Sequence, residues 1–329
     1  MENKNLSKNI FSQDVKNKAT RSGYGEGLVK AGEENQNIVV VCADLTESTK
    51  SNFFAEKFPD RFVQVGVAEQ NMAGIAAGMA ESGKTVFCSS YAVFNPGRNW
   101  EQIRASVCYT NANVIIAGSH AGVSVGPDGA THQALEDIAL TRVLPNMKVV
   151  SPVDFEEAIK ATVALSQMEG PSYLRLGREK TPLITLPETS FEFGKAYSLW
   201  EGEYPQVAII STGPISYEAL LAAKELESVG ITSTVVNVHT IKPLDEQTVI
   251  RSARTCGAVV TVEEHQISGG LGGAVSECLS KNFPVPIEFV GMNDSFGESG
   301  KSDELLTKYG MKSTDIIKAA KEVIRRKNL

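Results

Sequence analysis

The sequence of 329 residues is long enough for two domains, and its composition, 42% hydrophobic and 22% charged, is typical of a folded globular protein. The formal net charge of -7 makes nucleic acid an unsuitable main partner, because phosphate backbones require a concentrated basic surface. No apolar run could span a membrane, and the polar N-terminus lacks the apolar centre of a secretory signal. We therefore expect a cytoplasmic protein that binds neither nucleic acid nor membranes.

In the first half of the chain, short β-branched runs alternate with stretches of helical periodicity. A helical pattern occupies residues 14–34, and two later helices are predicted at 68–82 and 153–167. Strands are predicted in NIVVVCAD, RFVQVGV, KTVFCSS, NVIIAGSH, MKVVSP and SYLRLG. This alternation predicts a parallel sheet that is covered by helices on both faces.

A segment rich in Pro, Gly and turn-forming residues interrupts the alternation after about Leu183. We place a linker at 186–205, between a first domain at 14–185 and a second domain at 206–329. In the second domain the alternation resumes with the predicted strands QVAIIST, TSTVVNVHT, GAVVTVEE and PIEFVGM, and it ends with a helix in DIIKAAKEVIRRK. The predicted fold class is α/β, with two tandem doubly wound domains whose sheets are mainly parallel.

The five cysteines show neither a C-x-x-C motif nor any metal-ligand spacing. Four of them lie within or beside apolar stretches. We therefore expect buried, reduced thiols without a catalytic nucleophile among them, namely Cys42, Cys88, Cys108, Cys256 and Cys278.

The polar residues of the first half gather where its predicted strands end, which is where ligands bind in sheets of this kind. They lie at 44–48, 66–71, 91–98 and 119–133. The second half has fewer polar candidates after its strands, and these are His239, Glu263, Glu264 and His265. We therefore expect the chemistry to reside in the first half.

Glu69 follows a predicted strand and opens a predicted helix in GVAEQNMAGIAAGMA. Taken alone, it could simply stabilise the helix N-terminus, while Gly74, Ala77 and Gly78 would let another helix pack closely. The segment resembles the one that bears the catalytic glutamate in transketolases and deoxyxylulose phosphate synthases. The resemblance covers nearly the whole chain, as a pyrimidine-binding domain followed by a C-terminal domain. It implies that the cofactor is thiamine diphosphate and that catalytic Glu69 binds N1′ of its aminopyrimidine.

Two aromatic residues follow the next strand in SSYAVFNPGRNWEQIR, where aromatic residues are usually part of the core. By resemblance to the same family, Tyr91 and Phe94 bind the cofactor around its aminopyrimidine, with Phe94 as the stacking partner. Arg98 is left out of the predicted site, because the loop differs by one residue in length from that of the family.

The glycine-rich segment GSHAGVSVGPDGATHQALED contains two histidines and an aspartate. A solvated turn would explain its glycines but not both histidines, and the spacing H-x(7)-D-x-x-x-H resembles the transketolase signature. The resemblance implies that His120 helps to hold the donor phosphate and that Asp128 contacts a sugar hydroxyl. His132 would face the reacting hydroxyls near C1, which makes it both a substrate-binding and a catalytic residue.

Three further positions resemble those that surround the substrate phosphate in the family. They are Arg178 in SYLRLGREKTP, Arg21 in KATRSGYGE and Ser48 in ADLTESTK, with Arg175 as a weaker candidate. Any one arginine alone is more typical of a surface charge. A guanidinium can nevertheless bind phosphate through two parallel hydrogen bonds, which favours arginine over lysine in such a site.

In this family, a G-D-G segment followed by an asparagine holds Mg²⁺ and the diphosphate on a preceding domain. No G-D-G occurs in the sequence, and we assign no metal ligand to this chain. The resemblance therefore implies a separate N-terminal, diphosphate-binding subunit that carries most of the Mg²⁺ site, with the two kinds of chain forming a heterotetramer. The predicted function is the C-terminal subunit of a split transketolase of the pentose phosphate pathway, transferring a two-carbon glycolaldehyde unit from a ketose phosphate to an aldose phosphate.

Three other interpretations remain open at this point. The β subunit of a 2-oxoacid dehydrogenase shares the size, the domain order and the cofactor glutamate, although the histidines and arginines suit a sugar phosphate better. A fragment of a deoxyxylulose phosphate synthase has a similar Glu69 segment, but that enzyme is usually a single chain. A non-catalytic assembly protein could keep the fold, although it would not need Glu69 or the predicted sugar contacts.

Overall fold

The first half of the chain folds around a seven-stranded sheet in the computed structural model, which describes residues 6–327. The start of the polar N-terminus and the last two residues of the predicted second domain lie outside the described residues. The sheet has the order β12-β6-β7-β5-β4-β2-β3 and is parallel except for β12. Its strands are β2 (Ile38–Cys42), β3 (Phe62–Gln64), β4 (Thr85–Tyr91), β5 (Val114–Ser119), β6 (Lys148–Val150), β7 (Ser172–Arg175) and β12 (Thr240–Lys242).

Helices cover both faces of this sheet, and two of them pack against each other unusually closely. A Cβ atom on Gly23 would lie 2.3 Å from the carbonyl oxygen of Phe155, and one on Gly27 would lie 2.7 Å from Thr162 Cβ. Glycine is therefore required at these two positions, where the first helix of this half contacts the last helix of this half. The helices are α1 (Thr20–Glu34), α2 (Thr46–Thr49), α3 (Asn52–Lys57), α4 (Glu69–Glu81), α5 (Trp100–Gln102), α6 (Asp137–Arg142) and α7 (Phe155–Ser166).

The second half forms a five-stranded sheet of order β14-β13-β10-β11-β9, which is parallel except for β9. Its strands are β9 (Tyr197–Glu201), β10 (Val207–Ser211), β11 (Ser233–Asn237), β13 (Val259–Gln266) and β14 (Ile287–Met292). Its helices are α8 (Ser216–Ser228), α9 (Glu246–Cys256), α10 (Leu271–Asn282), α11 (Ser302–Lys308) and α12 (Ser313–Lys327). The predicted fold class, two tandem α/β domains with mainly parallel sheets, is confirmed.

Aspartates at two helix N-termini explain why those helices begin where they do. The side chain of Asp154 accepts a hydrogen bond from the backbone N–H of Glu157 at the start of α7. Asp245 accepts one from the backbone N–H of Thr248 at the start of α9. Each carboxylate satisfies a donor that the helix itself cannot pair.

Four short strands were not expected from the sequence. Strand β9 lies inside the segment for which a linker was predicted, and β12 returns from the second half to pair with Val150 of the first sheet. In addition, β1 (Asn17–Lys18) pairs with β8 (Thr181–Pro182), so that α1 begins at Thr20 rather than near residue 14. The limits of the two domains stay a prediction.

The two halves share a continuous hydrophobic core. One buried cluster includes Val149 of β6, Ile241 of β12 and Val236 of β11, and so extends from the first sheet into the second. Burial of apolar surface across this junction holds the second half against the first.

All five cysteines are buried free thiols, as the sequence predicted. Burial raises the pKa of Cys88 to about 12, which keeps this thiol protonated and unreactive at neutral pH. Within residues 6–327, no helix is both long enough and apolar enough to cross a bilayer.

Candidate active site

The candidate site lies at the carboxyl edge of the first sheet, where neighbouring parallel strands end together. Tyr91 is the last residue of β4 and pairs in register with Ser119, the last residue of β5. The next residue after β5 is His120, whose ring stacks on that of Tyr91 with centroids 3.8 Å apart. The register of the sheet therefore brings together two residues that are 29 positions apart in the sequence.

Four rings form a contiguous aromatic wall at this edge. The rings of Tyr91 and Phe94 are nearly parallel, with centroids 6.1 Å apart. His132 meets Phe94 edge-on at 5.4 Å and Tyr91 edge-on at 6.1 Å. Because Tyr91, Phe94 and His132 are each half-buried, part of the wall is open to a ligand. The structure thus brings together both predicted cofactor-stacking residues and both predicted histidines.

His120 is a buried, neutral imidazole. Its backbone has a φ of 57°, in the left-handed region that side chains seldom adopt. Burial, assisted by the positive charges of Arg21 and Arg178, lowers its pKa to about 3. One ring nitrogen, Nε2, lies 3.4 Å from Arg21 Nη1, and the other lies 2.9 Å from Ser119 Oγ. Since a guanidinium can only donate, Nε2 acts as the acceptor in this arrangement and Nδ1 carries the proton.

The predicted phosphate-binding residues converge beside this imidazole. Arg21 donates from Nη1 to the carbonyl oxygen of Ser48 at 2.8 Å and from Nε to that of Arg178 at 3.1 Å. Burial, followed by repulsion from Arg178, lowers the pKa of Arg21. Lys50, which the sequence did not single out, contributes a further positive charge that lowers the pKa of His120. The cluster is therefore suited to an anion.

Arg178 is turned toward the glycine-rich loop. Its Nη1 donates to the carbonyl oxygen of Val125 at 2.9 Å and to Glu179 at 2.7 Å. Gly126 and Gly129, with φ values of 78° and 77°, provide the left-handed turns of this loop.

Asp128 is exposed in the same loop, and its negative charge partly offsets the lowering of the pKa of Arg21 by burial and by Arg178. The second domain helps to fix the loop, since Gln133 donates both to Val123 within it and to the carbonyl oxygen of Glu298. Asp128 and His132 are therefore presented on a loop that both halves of the chain hold in place.

Glu69 is the first residue of α4, and its carboxylate is only 2% exposed. Its Oε2 accepts a hydrogen bond from Arg98 Nη1 at 2.8 Å, and its backbone oxygen accepts one from Asn99 Nδ2 at 3.1 Å. The guanidinium carbon of Arg98 lies 4.4 Å from the centre of the Phe94 ring. Glu69 and Phe94 are therefore joined through a single side chain.

Sequence comparison alone had excluded Arg98, because of the length of its loop. A local signal was nevertheless present, since Arg98 lies four residues after Phe94. The backbone N–H of Arg98 donates to the carbonyl oxygen of Phe94 at 3.1 Å, so one helical turn places the two side chains on the same side.

The weaker arginine candidate, Arg175, is engaged in a buried ion pair. Its Nε donates to Asp137 Oδ2 at 2.8 Å, and its Nη2 donates to the carbonyl oxygen of Glu264 at 2.7 Å. Burial would lower the pKa of Arg175, but the Asp137 carboxylate outweighs burial and raises it. Arg175 is therefore part of a buried ion pair that supports the sheet edge.

Comparisons with known proteins identify the family of the chain. The family model of the transketolase pyrimidine-binding domain matches residues 16–183, and that of the transketolase C-terminal domain matches residues 195–316. A transketolase C-terminal section of Methanocaldococcus jannaschii is 45% identical over 312 residues, which cover 94% of this chain and 97% of that protein. A 6-deoxy-6-sulfo-D-fructose transketolase subunit of Clostridium sp. strain MSTE9 is 42% identical over 308 residues, which cover 94% and 95%.

A solved structure described as a split gene transketolase, an inactive beta4 tetramer, superposes with a TM-score of 0.88 at 47% identity. The match covers 94% of this chain and 99% of that one. Two family models and nearly full-length relatives thus point to the same family. The chain belongs to the transketolase family, of which it contains the pyrimidine-binding and C-terminal domains.

Proposed function

We propose that this chain is the C-terminal subunit of a split transketolase, which moves a two-carbon glycolaldehyde unit from a ketose phosphate to an aldose phosphate. The observation that carries the proposal is the juxtaposition of two features at one sheet edge. A buried carboxylate beside an open aromatic wall adjoins a cluster of guanidinium groups around a neutral imidazole. The first feature suits a heteroaromatic cofactor, and the second suits a phosphorylated sugar.

The residues present fit the aminopyrimidine of thiamine diphosphate. Phe94 and Tyr91 offer faces for stacking, and the Glu69 carboxyl offers a hydrogen bond at the edge of such a ring. When bound, this cofactor supplies a nucleophilic carbon that can carry the two-carbon unit. Glu69 would hold or share a proton at N1′, and positioned proton transfer typically contributes about 10²–10⁴ in rate.

The residues around the imidazole fit the substrate. Arg21 and Arg178 would bind the phosphate, with the backbone of Ser48 fixing the guanidinium of Arg21. His120 supports the same guanidinium through Nε2 and remains neutral. His132 lies against Phe94, next to the proposed cofactor, and would face the reacting hydroxyls.

Asp128 would contact a sugar hydroxyl from the exposed part of the loop. The similar Clostridium subunit is named for a sulfonated fructose, so related subunits differ in their sugars. Pentose phosphate metabolism in the cytoplasm is the setting that we propose.

The diphosphate and Mg²⁺ would be held mainly by a partner chain, in a heterotetramer. Relatives that match this chain over nearly their full length are named as a section, a subunit and a split gene transketolase. On α4, the helix that begins at Glu69, a Cβ atom added to Gly74 or Gly78 would meet nothing within 4 Å, so the side of the helix that faces away from Glu69 is open to another chain.

The same comparisons do not favour a 2-oxoacid dehydrogenase subunit, since both family models are those of transketolase. A non-catalytic assembly protein has no use for a buried carboxylate beside an open aromatic wall. Replacing Glu69 with Ala separates these classes, because an assembly protein would keep its function and an enzyme would lose nearly all turnover.

To test the proposal, the tagged chain is purified from its own cells and assayed with its co-purifying proteins for glycolaldehyde transfer between sugar phosphates. We expect a second chain containing a G-D-G motif and activity that requires thiamine diphosphate and Mg²⁺. Recovery of an inactive chain without a partner, or with lipoamide-bearing proteins, would contradict the proposal. Robust transfer by this chain alone would contradict the shared active site.

A further inference from the structure

Arg98 makes, by itself, the two contacts that the proposed function assigns to the aminopyrimidine ring. Its guanidinium donates to Glu69 Oε2 at 2.8 Å and lies over the Phe94 ring, 4.4 Å from the centroid. Among the residues that the structure describes, Arg98 is the side chain that hydrogen-bonds the Glu69 carboxylate. The side chain of Arg98 is 48% exposed, whereas that of Glu69 is 2% exposed.

The backbone beneath Arg98 is firmly held. Asn95 donates to the carbonyl oxygen of Cys88 at 2.9 Å, and Asn99 donates to Asn95 Oδ1 and to the backbone oxygen of Glu69. At Gly97, an added Cβ would lie 2.0 Å from the carbonyl oxygen of Val93, so the turn itself is tight. Movement in this loop is therefore expected of the half-exposed Arg98 side chain rather than of the backbone.

The Arg98 guanidinium and an aminopyrimidine ring would contact Glu69 and Phe94 through the same kinds of interaction. Both are planar, both stack on an aromatic face, and both pair edge-on with a carboxyl group. A guanidinium can only donate hydrogen bonds, however, whereas N1′ of a neutral aminopyrimidine accepts one. The two groups therefore need Glu69 in different hydrogen-bonding roles. They also need the same face of the Phe94 ring, so they cannot be bound there together.

We propose, on the basis of the proposed function, that Arg98 competes with the aminopyrimidine of thiamine diphosphate for Glu69 and Phe94. Binding of the cofactor requires the Arg98 side chain to leave Glu69 and Phe94 and to move into solvent. Until then, Arg98 pairs the buried Glu69 carboxylate, which would otherwise lie in the protein without a counter-charge. Arg98 thereby sets the cofactor concentration at which the site fills.

The test measures the affinity of thiamine diphosphate for the complex of this chain with its partner by isothermal titration calorimetry. Replacing Arg98 with Ala removes the competitor, and we expect the dissociation constant to fall about 5–30-fold, the range for one half-exposed ion pair and one cation–π contact. Arg104, an exposed arginine in the following helical segment, provides the matched control. Arg104→Ala should leave the dissociation constant unchanged.

Two further variants show whether the effect acts through Glu69 and Phe94. Arg98→Lys keeps the positive charge but loses the planar group, so we expect a smaller decrease in the dissociation constant. In a Glu69→Gln background the ion pair is already absent, and Arg98→Ala should then have less effect than in the wild type. A purely structural role for Arg98 would not produce this dependence on Glu69.

An unchanged or increased dissociation constant in Arg98→Ala, with normal thermal unfolding, would overturn the competition. If Arg98→Ala does not fold, the dissociation constant of Arg98→Lys is used instead. A decrease supports the competition, and an unchanged or increased value overturns it. If neither the wild type nor any variant binds thiamine diphosphate in the complex, the proposed function fails, and the competition fails with it. Binding by the wild type without any tightening in the variants leaves the proposed function intact and removes only the role of Arg98.

Discussion

At the carboxyl edge of the first sheet, Tyr91, Phe94 and His132 keep part of their surface exposed, whereas at the same edge of the second sheet Glu263 and His265 are buried. Glu263 accepts hydrogen bonds from the backbone N–H groups of Leu271 and Gly272 at 2.7 and 2.8 Å. His265 donates from Nδ1 to the carbonyl oxygen of Gln266 at 2.6 Å. Glu263 and His265 are therefore already paired with the backbone.

The comparison shows that position at a strand end does not make a functional site. A side chain can act on a ligand only if it has hydrogen-bonding capacity left and a route of approach. Burial raises the pKa of Glu263, whose hydrogen bonds serve to start α10. The first edge differs because its rings are half-open and because the buried Glu69 carboxylate is covered by the half-exposed side chain of Arg98.

The largest expected difference between the two edges is in turnover. We expect Glu69→Gln to lower kcat of the assembled enzyme by about 10²–10⁴-fold, because proton sharing at the cofactor is lost. The matched change Glu263→Gln should keep most of the activity and lower the free energy of unfolding by about 1–3 kcal/mol, through weaker pairing of buried N–H groups. Steady-state kinetics and urea unfolding of both variants provide the measurements. Equal loss of activity in two normally folded variants would abolish the distinction.

A second difference is expected between two arginines near the first edge. Arg175→Ala removes the guanidinium that pairs the buried Asp137 charge, leaving it only the hydrogen bond from Tyr173, and should destabilise the fold by about 3–5 kcal/mol. Arg21→Ala should instead raise KM for the phosphorylated donor by about 10–150-fold, the range for one charged hydrogen bond, and should lower Tm less than Arg175→Ala does, because its hydrogen bonds to Ser48 and Arg178 are only partly buried. Thermal unfolding and donor titrations separate the two effects. A large drop in Tm for Arg21→Ala with unchanged KM would argue against the proposed phosphate site.

The third comparison concerns the pH dependence of stability, to which one buried histidine in each half is expected to contribute. The pKa of His120 falls from an ordinary 6.5 to about 3, and that of His239 falls to about 4, in both cases chiefly through burial. Between 6.5 and these values the unfolded chain binds more protons than the folded chain, so stability decreases as the pH falls. Replacing either histidine with Gln should make this decrease shallower by up to about 1.4 kcal/mol per pH unit, over a narrower range for His239.

Urea unfolding between pH 7 and pH 4 tests this expectation for both variants. Enzyme assays then distinguish the regions, since only His120→Gln should weaken donor binding. A wild-type stability that does not change between pH 6.5 and pH 4 would contradict the assignment of both histidines as neutral in the folded chain.

The smallest expected effect concerns ring stacking. Phe94→Leu keeps an apolar side chain but loses the aromatic face, which should weaken thiamine diphosphate binding by about 2–12-fold, corresponding to ~0.5–1.5 kcal/mol. Phe296, which is 84% exposed in the second half, provides the control. Calorimetric titration should show no change for Phe296→Leu, and a similar loss in both variants would indicate that stacking at Phe94 is not the cause.

Most of the regular structure was predictable because its signals are local. The apolar run around Val40 forms β2, and the small apolar residues after Glu69 form α4, almost where the sequence predicted them. Strand β12 was missed because three residues carry no periodicity, and its pairing partner β6 lies about 90 residues earlier. The half-exposed edge strand β9 was missed for a similar reason.

The sequence by itself determined the alternation of strands and helices and the chemical types available at the first sheet edge, including Glu69, His120 and His132. The ion-pair partners of two arginines were decided only by the tertiary structure. Arg175, a candidate phosphate ligand, is paired with Asp137 at a separation of 38 residues, and Arg98, which was left out, contacts Glu69 at a separation of 29 residues. The reason is physical: periodicity and polarity are local properties, whereas the partner of a charged side chain depends on which distant elements the sheet brings together.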